Sequence, residues 1–354
     1  MTKKNDQAEK KEIAPIKTRF PSELRMDLVS KDWVVIATGR ARRPETFKKN
    51  GKPKQIIPKK GCPFCDLGNQ EKPVLAFLNG RKISVEKGIP KKWTTIVIPN
   101  KFPAFARSDN LNERAEGPYQ LMDGVGFHEV VVTADHEKQI AKFSKEETKE
   151  VIDVYQERYL DLMNEKFVHY ISIFHNNGYE AGASVAHPHS QIIAIPTTDP
   201  DIQASLKGSF QFSQAQKKCV HCAMLAWEME QKTRIIFENK DFLALAPFAS
   251  RVAFEIRIYP KEHHAYFERI TDAEKWSLAE TFNVAISKLY KALNDPPYNF
   301  FLHTAPCDGK NYDHYHWHFE ILPKTSTWAG FELGAGIEIS TIEPEKAAEF
   351  LRLQ

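Results

Sequence analysis

The sequence predicts an α+β fold built from two copies of one unit, with mostly antiparallel sheets covered by helices. Three observations predict it. Landmarks recur at a fixed distance of 127 residues, and constant spacing across a strand, a helix and a histidine cluster signals duplication. Each copy carries one long amphipathic helix opened by a capping signal. Short runs such as "VVVTA", "IIAIP", "IRIYP" and "FEILP" have the length and the β-branched content of strands. Each copy therefore reads strand, strand, helix, strand, strand, for which a sheet under helices is the natural arrangement.

The elements follow in order. The start, "MTKKNDQAEKKE", is polar and aperiodic and reads as a tail over 1–20. The first copy spans 21–197. It contains an inserted segment with "KKWTT" and the proline-rich "IPNKFPAF", then the strand of "GFHEVVVTADH". Its helix, "SKEETKEVIDVYQERYLDLMNEKF", opens with a Ser-x-x-Glu box at Ser144 and is followed by "VHYISIFHNN". His187-Pro188-His189-Ser190-Gln191 closes the copy. Residues 198–218 read as a linker. In the second copy, 219–354, "AFEIRIYPKEH" stands opposite the first strand, and the helix from Thr271 carries a Thr-x-x-Glu box. "YNFFLHTAP" and His314-Tyr315-His316-Trp317-His318 follow. His189 and His316 are again 127 apart, whereas the two C-x-x-C pairs are 157 apart, so the first copy holds the extra residues.

Composition narrows the function. A chain of 354 residues, 42% hydrophobic, can bury a large core. The net charge of +3, without a long basic block, argues against a nucleic-acid partner. No apolar run reaches the roughly 18 residues of a membrane span, and the basic start lacks the apolar core of a secretion signal, so a soluble cytoplasmic protein is expected. Cys62/Cys65 and Cys219/Cys222 in such a chain suggest metal knuckles more than disulfides. Each pair needs two more ligands. His128, His136, His169, His175 and His187 are open to the first, and His263, His264, His303, His314, His316 and His318 to the second. His187 and His189 occupy alternate strand positions and share a face, so one can serve a metal while the other stays free. Gly178, Gly182, Ala183 and Ser184 before them would let backbone N–H groups approach a phosphate.

"GYEAGASVAHPHSQ" resembles the active-site segment of galactose-1-phosphate uridylyltransferases, members of the histidine-triad superfamily. "DWVVIATGRARRPETF", "CPFC", "VIPNKFPAF", "GFHEVVV", "HWHFEILP" and "GFELGAG" match in the same order, over roughly residues 25–340. The resemblance implies two histidine-triad-like half-domains. It implies a ping-pong nucleotidyl transfer between a nucleotide sugar and a hexose-1-phosphate, through a covalent nucleotidyl-histidine. By motif, His189 takes the nucleophile's position and Gln191 that of the glutamine on the phosphoryl oxygens. Arg40, Arg43, Asn176 and Ser184 fall where phosphate is contacted, Asn100 where the nucleoside is, and Phe331 and Glu332 on the hexose-facing segment that a partner subunit supplies. A homodimer follows. Cys62, Cys65, His128 and His187 match the first zinc site. For the second metal site the family offers either a carboxylate with three histidines, matching His303, His316 and His318, or a C-x-x-C with two histidines, matching Cys219, Cys222, His263 and His316. The latter set is complete here, so one or two zinc ions per chain are expected. Uridylyl transfer from a UDP-hexose to galactose-1-phosphate is the leading expectation. Adenylyl transfer, as in the related ADP-glucose phosphorylases, is the second, and a zinc-stabilised nucleotide-binding module without turnover the third.

Overall fold

Both capping signals start helices in the computed structural model, which describes residues 22–37, 47 and 58–354. Ser144 Oγ accepts from the Glu147 N–H at 3.2 Å while the Glu147 carboxylate accepts from the Ser144 N–H at 2.6 Å. Thr271 and Glu274 repeat the exchange at 3.3 and 2.8 Å. Each box satisfies two N–H groups that a helix start otherwise leaves open.

The strands are β1 (Glu23–Met26), β2 (Trp33–Ile36), β3 (Leu75–Leu78), β4 (Arg81–Ile83), β5 (Thr95–Pro99), β6 (Arg114–Glu116), β7 (Tyr119–Leu121), β8 (Phe127–Thr133), β9 (Tyr170–Asn177), β10 (His189–Ile195), β11 (Ile235–Glu238), β12 (Phe242–Leu245), β13 (Ile256–Pro260), β14 (Tyr298–His303), β15 (His318–Pro323) and β16 (Ile339–Ser340). The helices are α1 (Lys145–Leu162), α2 (Pro200–Gln216), α3 (Val220–Gln231), α4 (Asp272–Leu293), α5 (Gly330–Ala335) and α6 (Pro344–Arg352).

Eleven strands form one sheet in the order β11-β12-β13-β15-β14-β9-β10-β8-β5-β3-β4. The two copies therefore share a single sheet, joined where β9 runs antiparallel to β14. The register at this seam places Phe174 opposite Phe301, its own counterpart 127 residues on, with Ile173 opposite Leu302 and His175 opposite Phe300 on either side. The alternation of the strands sorts side chains to two faces. One face carries Val97, Val131, Ile192 and Ile173, with Ile256, Phe300 and Phe319 from the second copy, and buries them under Tyr155 and Tyr159 of α1 and Phe282 and Ile286 of α4. On that face Glu129 accepts from Arg158 Nε and Nη2 at 2.8 and 2.7 Å, a two-pronged buried pair that fixes α1 on β8. The other face carries Ile96, Ile98, Val130 and Val132 beneath Cys62, Phe64 and Leu67.

Two segments lie where the sequence did not place them. β1 and β2, expected with the first copy, pair with β16 of the second. The cause is charge and burial. Asp27 meets the buried Arg257 at 3.1 Å, Arg25 meets Glu345 at 2.9 Å, and Val34 and Ile36 pack on Ala249. The connection 198–218 is largely the helix α2, capped by Asp199 Oδ1 accepting from the Ile202 N–H at 2.9 Å, with Pro200 in its first turn. Ile202 and Leu206 hold it against Tyr170, Tyr266 and Tyr315.

At Gly208, α2 touches the loop after β1 so closely that a Cβ would collide with the Val29 carbonyl oxygen. Alanine at this position gains up to ~1 kcal/mol of helix propensity, but overpacking against backbone costs ~1–3 kcal/mol. Gly208→Ala is therefore expected to lower the urea midpoint, and an unchanged or raised midpoint would contradict the contact.

Candidate active site and metal clusters

Strand alternation fixes which side chains meet. His189 and Gln191 of β10 lie opposite Val132 and Val130 of β8, so they share a face with each other and with His128, two residues back along β8. On the other side of β10, Ser190 pairs with His175, which puts Asn176 next to His189. Asn176 is fixed in turn: its Oδ1 accepts from Asn299 Nδ2 at 2.7 Å.

The His189 ring is held by its own strand entry. Nδ1 lies 2.9 Å from the His187 carbonyl oxygen. A carbonyl only accepts, so Nδ1 carries the proton and Nε2 keeps its lone pair. Burial keeps the His189 pKa below the ordinary value, against the raising effect of that carbonyl. The ring is thus neutral and nucleophilic at Nε2. Phe64, the aromatic residue inside the first C-x-x-C, stands with its ring centre 5.0 Å from that of His189.

His187, two residues earlier, turns the opposite nitrogen to work. Its Nε2 donates to the Thr133 carbonyl oxygen at 2.7 Å, so Nδ1 is bare. This bare nitrogen lies 3.6 Å from Cys62 Sγ, 3.5 Å from Cys65 Sγ and 3.2 Å from His136 Nδ1, and His136 Nδ1 lies 3.1 Å from Cys65 Sγ. Tetrahedral coordination at Zn–N and Zn–S lengths of about 2.0–2.3 Å gives ligand–ligand edges of about 3.3–3.8 Å. Cys62, Cys65, His136 and His187 fit a four-coordinate cation, with all ligand atoms within 4.8 Å of one another.

His128, expected as the fourth ligand, is not in this cluster. It sits at the far end of β8, where its Nε2 meets Gln191 Oε1 at 2.8 Å and Asn100 Nδ2 at 3.0 Å. His136 follows the end of β8, where the chain reaches the knuckle. The sequence carried the signal for it, since His136 stands 127 residues before His263.

The second cluster joins Cys219, Cys222, His263 and His316, as expected. Cys222 Sγ lies 3.3 Å from His263 Nδ1 and 3.6 Å from His316 Nδ1. His263 Nε2 donates to the Asp313 carbonyl oxygen at 2.7 Å and His316 Nε2 to that of Pro260 at 3.0 Å. Each imidazole again aims a bare Nδ1 at thiols. Ligand for ligand, the two clusters are copies.

This pairing corrects the alignment of the histidine clusters. His316 is the counterpart of His187, and His318 that of His189, because His318 Nδ1 bonds the His316 carbonyl oxygen at 3.2 Å as His189 does that of His187. The spacing here is 129, not 127, because the second copy has two more residues between the seam pair Phe174/Phe301 and the histidine pair His189/His318. Glu320 stands where the first copy has Gln191. Although burial opposes it, Arg257 and Arg251 hold Glu320 ionised, with its pKa lowered. A carboxylate carries a negative charge where the first copy has a neutral amide, so the two copies differ in charge at this position. The alternative metal set is divided: His316 faces the thiols, while His303, His318 and Glu320 group separately, with Arg257 Nε 3.4 Å from Glu320.

Of the remaining expected residues, Asn100 joins the His128–Gln191 group. Ser184 lies exposed in the loop before His187. Phe331 and Glu332 lie on the exposed α5 of the second copy, where Glu332 accepts from the Ala329 N–H at 3.1 Å. Arg40 and Arg43 fall outside the described residues. No described helix is long and apolar enough to cross a membrane.

Comparison with known proteins agrees with this geometry. The family described as "Galactose-1-phosphate uridyl transferase, N-terminal domain" matches residues 11–198, and a domain family of unknown function matches residues 124–352. An ADP-glucose phosphorylase of Arabidopsis thaliana is 33% identical over 93% of this chain and 92% of its own. A galactose-1-phosphate uridylyltransferase of Thermotoga maritima is 29% identical over 93% of this chain and 98% of its own. The crystal structure of an Arabidopsis thaliana ADP-glucose phosphorylase with bound ADP-glucose superposes with a TM-score of 0.77 at 29% identity, covering 94% of this chain and 98% of that one. A buried histidine with a bare Nε2, two residues from a cysteine–histidine cluster and inside a duplicated sheet of this shape, agrees with the family match over the first half, and the chain belongs to the galactose-1-phosphate uridylyltransferase family.

Proposed function

We propose that the chain is a nucleotidylyltransferase that moves a uridylyl group from a UDP-hexose to galactose-1-phosphate by way of His189. The observation that carries this reading is the His189 ring, with its proton held on Nδ1 by the His187 carbonyl and its Nε2 lone pair left for attack. Nε2 forms a bond to the α-phosphorus of the nucleotide sugar, and the bond from that phosphorus to the sugar-phosphate oxygen breaks. Hexose-1-phosphate leaves with the electron pair. In the second half-reaction a phosphate oxygen of galactose-1-phosphate attacks the same phosphorus, and Nε2 departs as neutral imidazole. Positive charge on the phosphorylated ring is eased at Nδ1–H by the His187 carbonyl.

Gln191 and Ser184 are the expected donors to the equatorial oxygens, with Asn176, Arg40 and Arg43 as further phosphate contacts. Asn100 would face the nucleoside. Zinc is the metal that two thiolates and two imidazoles suit best, and it would be held by Cys62, Cys65, His136 and His187, and by Cys219, Cys222, His263 and His316. Neither set touches the reacting phosphorus in this scheme. In each, the ion would fix a histidine whose carbonyl orients the next one. A homodimer in which Phe331 and Glu332 of one subunit reach the other's hexose completes the proposal, and a cytoplasmic setting keeps the thiols reduced.

A second reading, adenylyl transfer from ADP-glucose, is favoured by the 33% identity to an ADP-glucose phosphorylase and by the complete second thiolate cluster. UDP-glucose and ADP-glucose, supplied separately, decide between them. UDP-glucose is expected to leave a uridylyl label on the protein that galactose-1-phosphate discharges. Labelling by ADP-glucose alone would install the second reading, and labelling by neither would return the chain to a binding module.

A further inference from the structure

We propose that His128 is a positioning residue that fixes which end of the Gln191 amide faces the phosphoryl group. The inference rests on the reading that Gln191 serves that group. It begins with an unambiguous donor: the Ala104 N–H points at His128 Nδ1 at 3.1 Å. Nδ1 must therefore accept, and the neutral ring carries its proton on Nε2. Two groups lie within reach of that N–H, Gln191 Oε1 at 2.8 Å and Asn100 Nδ2 at 3.0 Å. The Asn100 amide is itself oriented, since its Oδ1 accepts from the Phe102 N–H at 2.9 Å. Its Nδ2 is a donor and cannot receive the His128 proton, so in this tautomer the 3.0 Å contact is two donors side by side and not a hydrogen bond. Gln191 Oε1 is the acceptor that remains.

The consequence falls on the other end of the glutamine. With Oε1 bound to His128, the Gln191 NH2 group turns away from His128, on the sheet face that also bears His189. A glutamine amide rotates freely and presents either end equally well. The wrong end would set a carbonyl oxygen against the oxygens of a phosphate. A backbone N–H of the inserted loop thus determines, through one imidazole, that the site presents a donor. In the second copy Glu255 stands at the His128 position and Glu320 at the Gln191 position, and both bond or pair with Arg257 at 3.0 and 3.4 Å, so the second copy does not repeat the relay. His128 is thereby reassigned from metal ligand to the orienting of a catalytic amide.

The test is a double-mutant cycle on formation of the nucleotidyl-enzyme in a single turnover. His128→Leu is expected to slow that step roughly tenfold, about the worth of one orienting hydrogen bond, with donor affinity and bound metal unchanged. Gln191→Ala, which removes the donor itself, is expected to cost more, ~10²–10³-fold. Placed on the Gln191→Ala protein, His128→Leu is expected to do nothing further, because coupled residues are not additive. His128→Gln, whose amide N–H can stand in for Nε2–H, is expected to recover part of the rate. Equal slowing of both backgrounds by His128→Leu, or no slowing of the wild-type background, would overturn the proposal while leaving the His189 chemistry intact. A second readout needs no turnover: long-range ¹H–¹⁵N correlation is expected to show His128 as the Nε2–H tautomer, and the Nδ1–H tautomer would overturn the relay directly.

Discussion

Replacing His189 by alanine is expected to abolish nucleotidyl transfer, with a loss of about 10⁴-fold or more, the scale of removing a covalent nucleophile. The size follows from the site. The described residues around the ring offer no substitute: His187 has its Nε2 on the Thr133 carbonyl and its Nδ1 among the thiols, and His175 lies on the helix side of the sheet with its pKa lowered to about 3 by burial and by His189. His189→Gly leaves a ring-sized space beside Phe64, and added imidazole is expected to restore a fraction of the rate. Exchange of label between hexose-1-phosphate and nucleotide sugar in the alanine variant would end the nucleophile assignment. Folding should be little affected, since the His189 ring makes one hydrogen bond among the described contacts, to its own strand.

The second large effect is on the first thiolate cluster. His136→Ala and Cys62→Ser are each expected to remove about one equivalent of bound metal and to destabilise the protein on the order of 4 kcal/mol, the range reached when a structural metal is lost. Cys62 is buried and packs with Phe64, Ile96 and Val132, so its cluster anchors the knuckle to the sheet. His128→Leu is expected to retain the metal in full. Elemental analysis with a thermal melt separates the first two variants from the third. Metal retained by His136→Ala but lost from His128→Leu would restore the ligand set expected from the family motif and remove the relay through Gln191.

These two experiments separate what could be read in the chain from what could not. Helix starts were legible because a capping box is local: Ser144 and Glu147, or Thr271 and Glu274, are three residues apart and satisfy each other. That one of His187 and His189 can serve a metal cluster while the other stays free of it was legible because strand alternation is equally local; the nucleophile's role for His189 came from the family resemblance alone and is a proposal. His136 was misread although the repeat placed it opposite His263, because the motif containing His128 was followed instead. The pairing of His189 with His316 was two residues out, since a fixed offset cannot register a loop that is longer in one copy. The β1–β2 strap and the burial of α2 depend on contacts made far away in sequence, such as Asp27 with Arg257 and Leu206 with Tyr315. No periodicity within either segment encodes those partners.

The seam between β9 and β14 has a consequence for how such a chain could arise. Phe174 faces its own counterpart Phe301, and the pairs on either side are exchanged images of each other. That is the signature of an isologous contact, in which one surface meets itself about a two-fold axis. A single ancestral unit with this strand exposed would assemble through it into one continuous sheet with the same strand at its centre, and would so protect an edge that otherwise invites uncontrolled pairing. While the units are separate, every substitution appears twice, on both sides of the axis. Joining them in one polypeptide ends that constraint. One unit is then free to keep a neutral glutamine and a histidine beside its reactive ring, while the other takes glutamates and an arginine at the matching places and becomes the anchor for the amino-terminal strap.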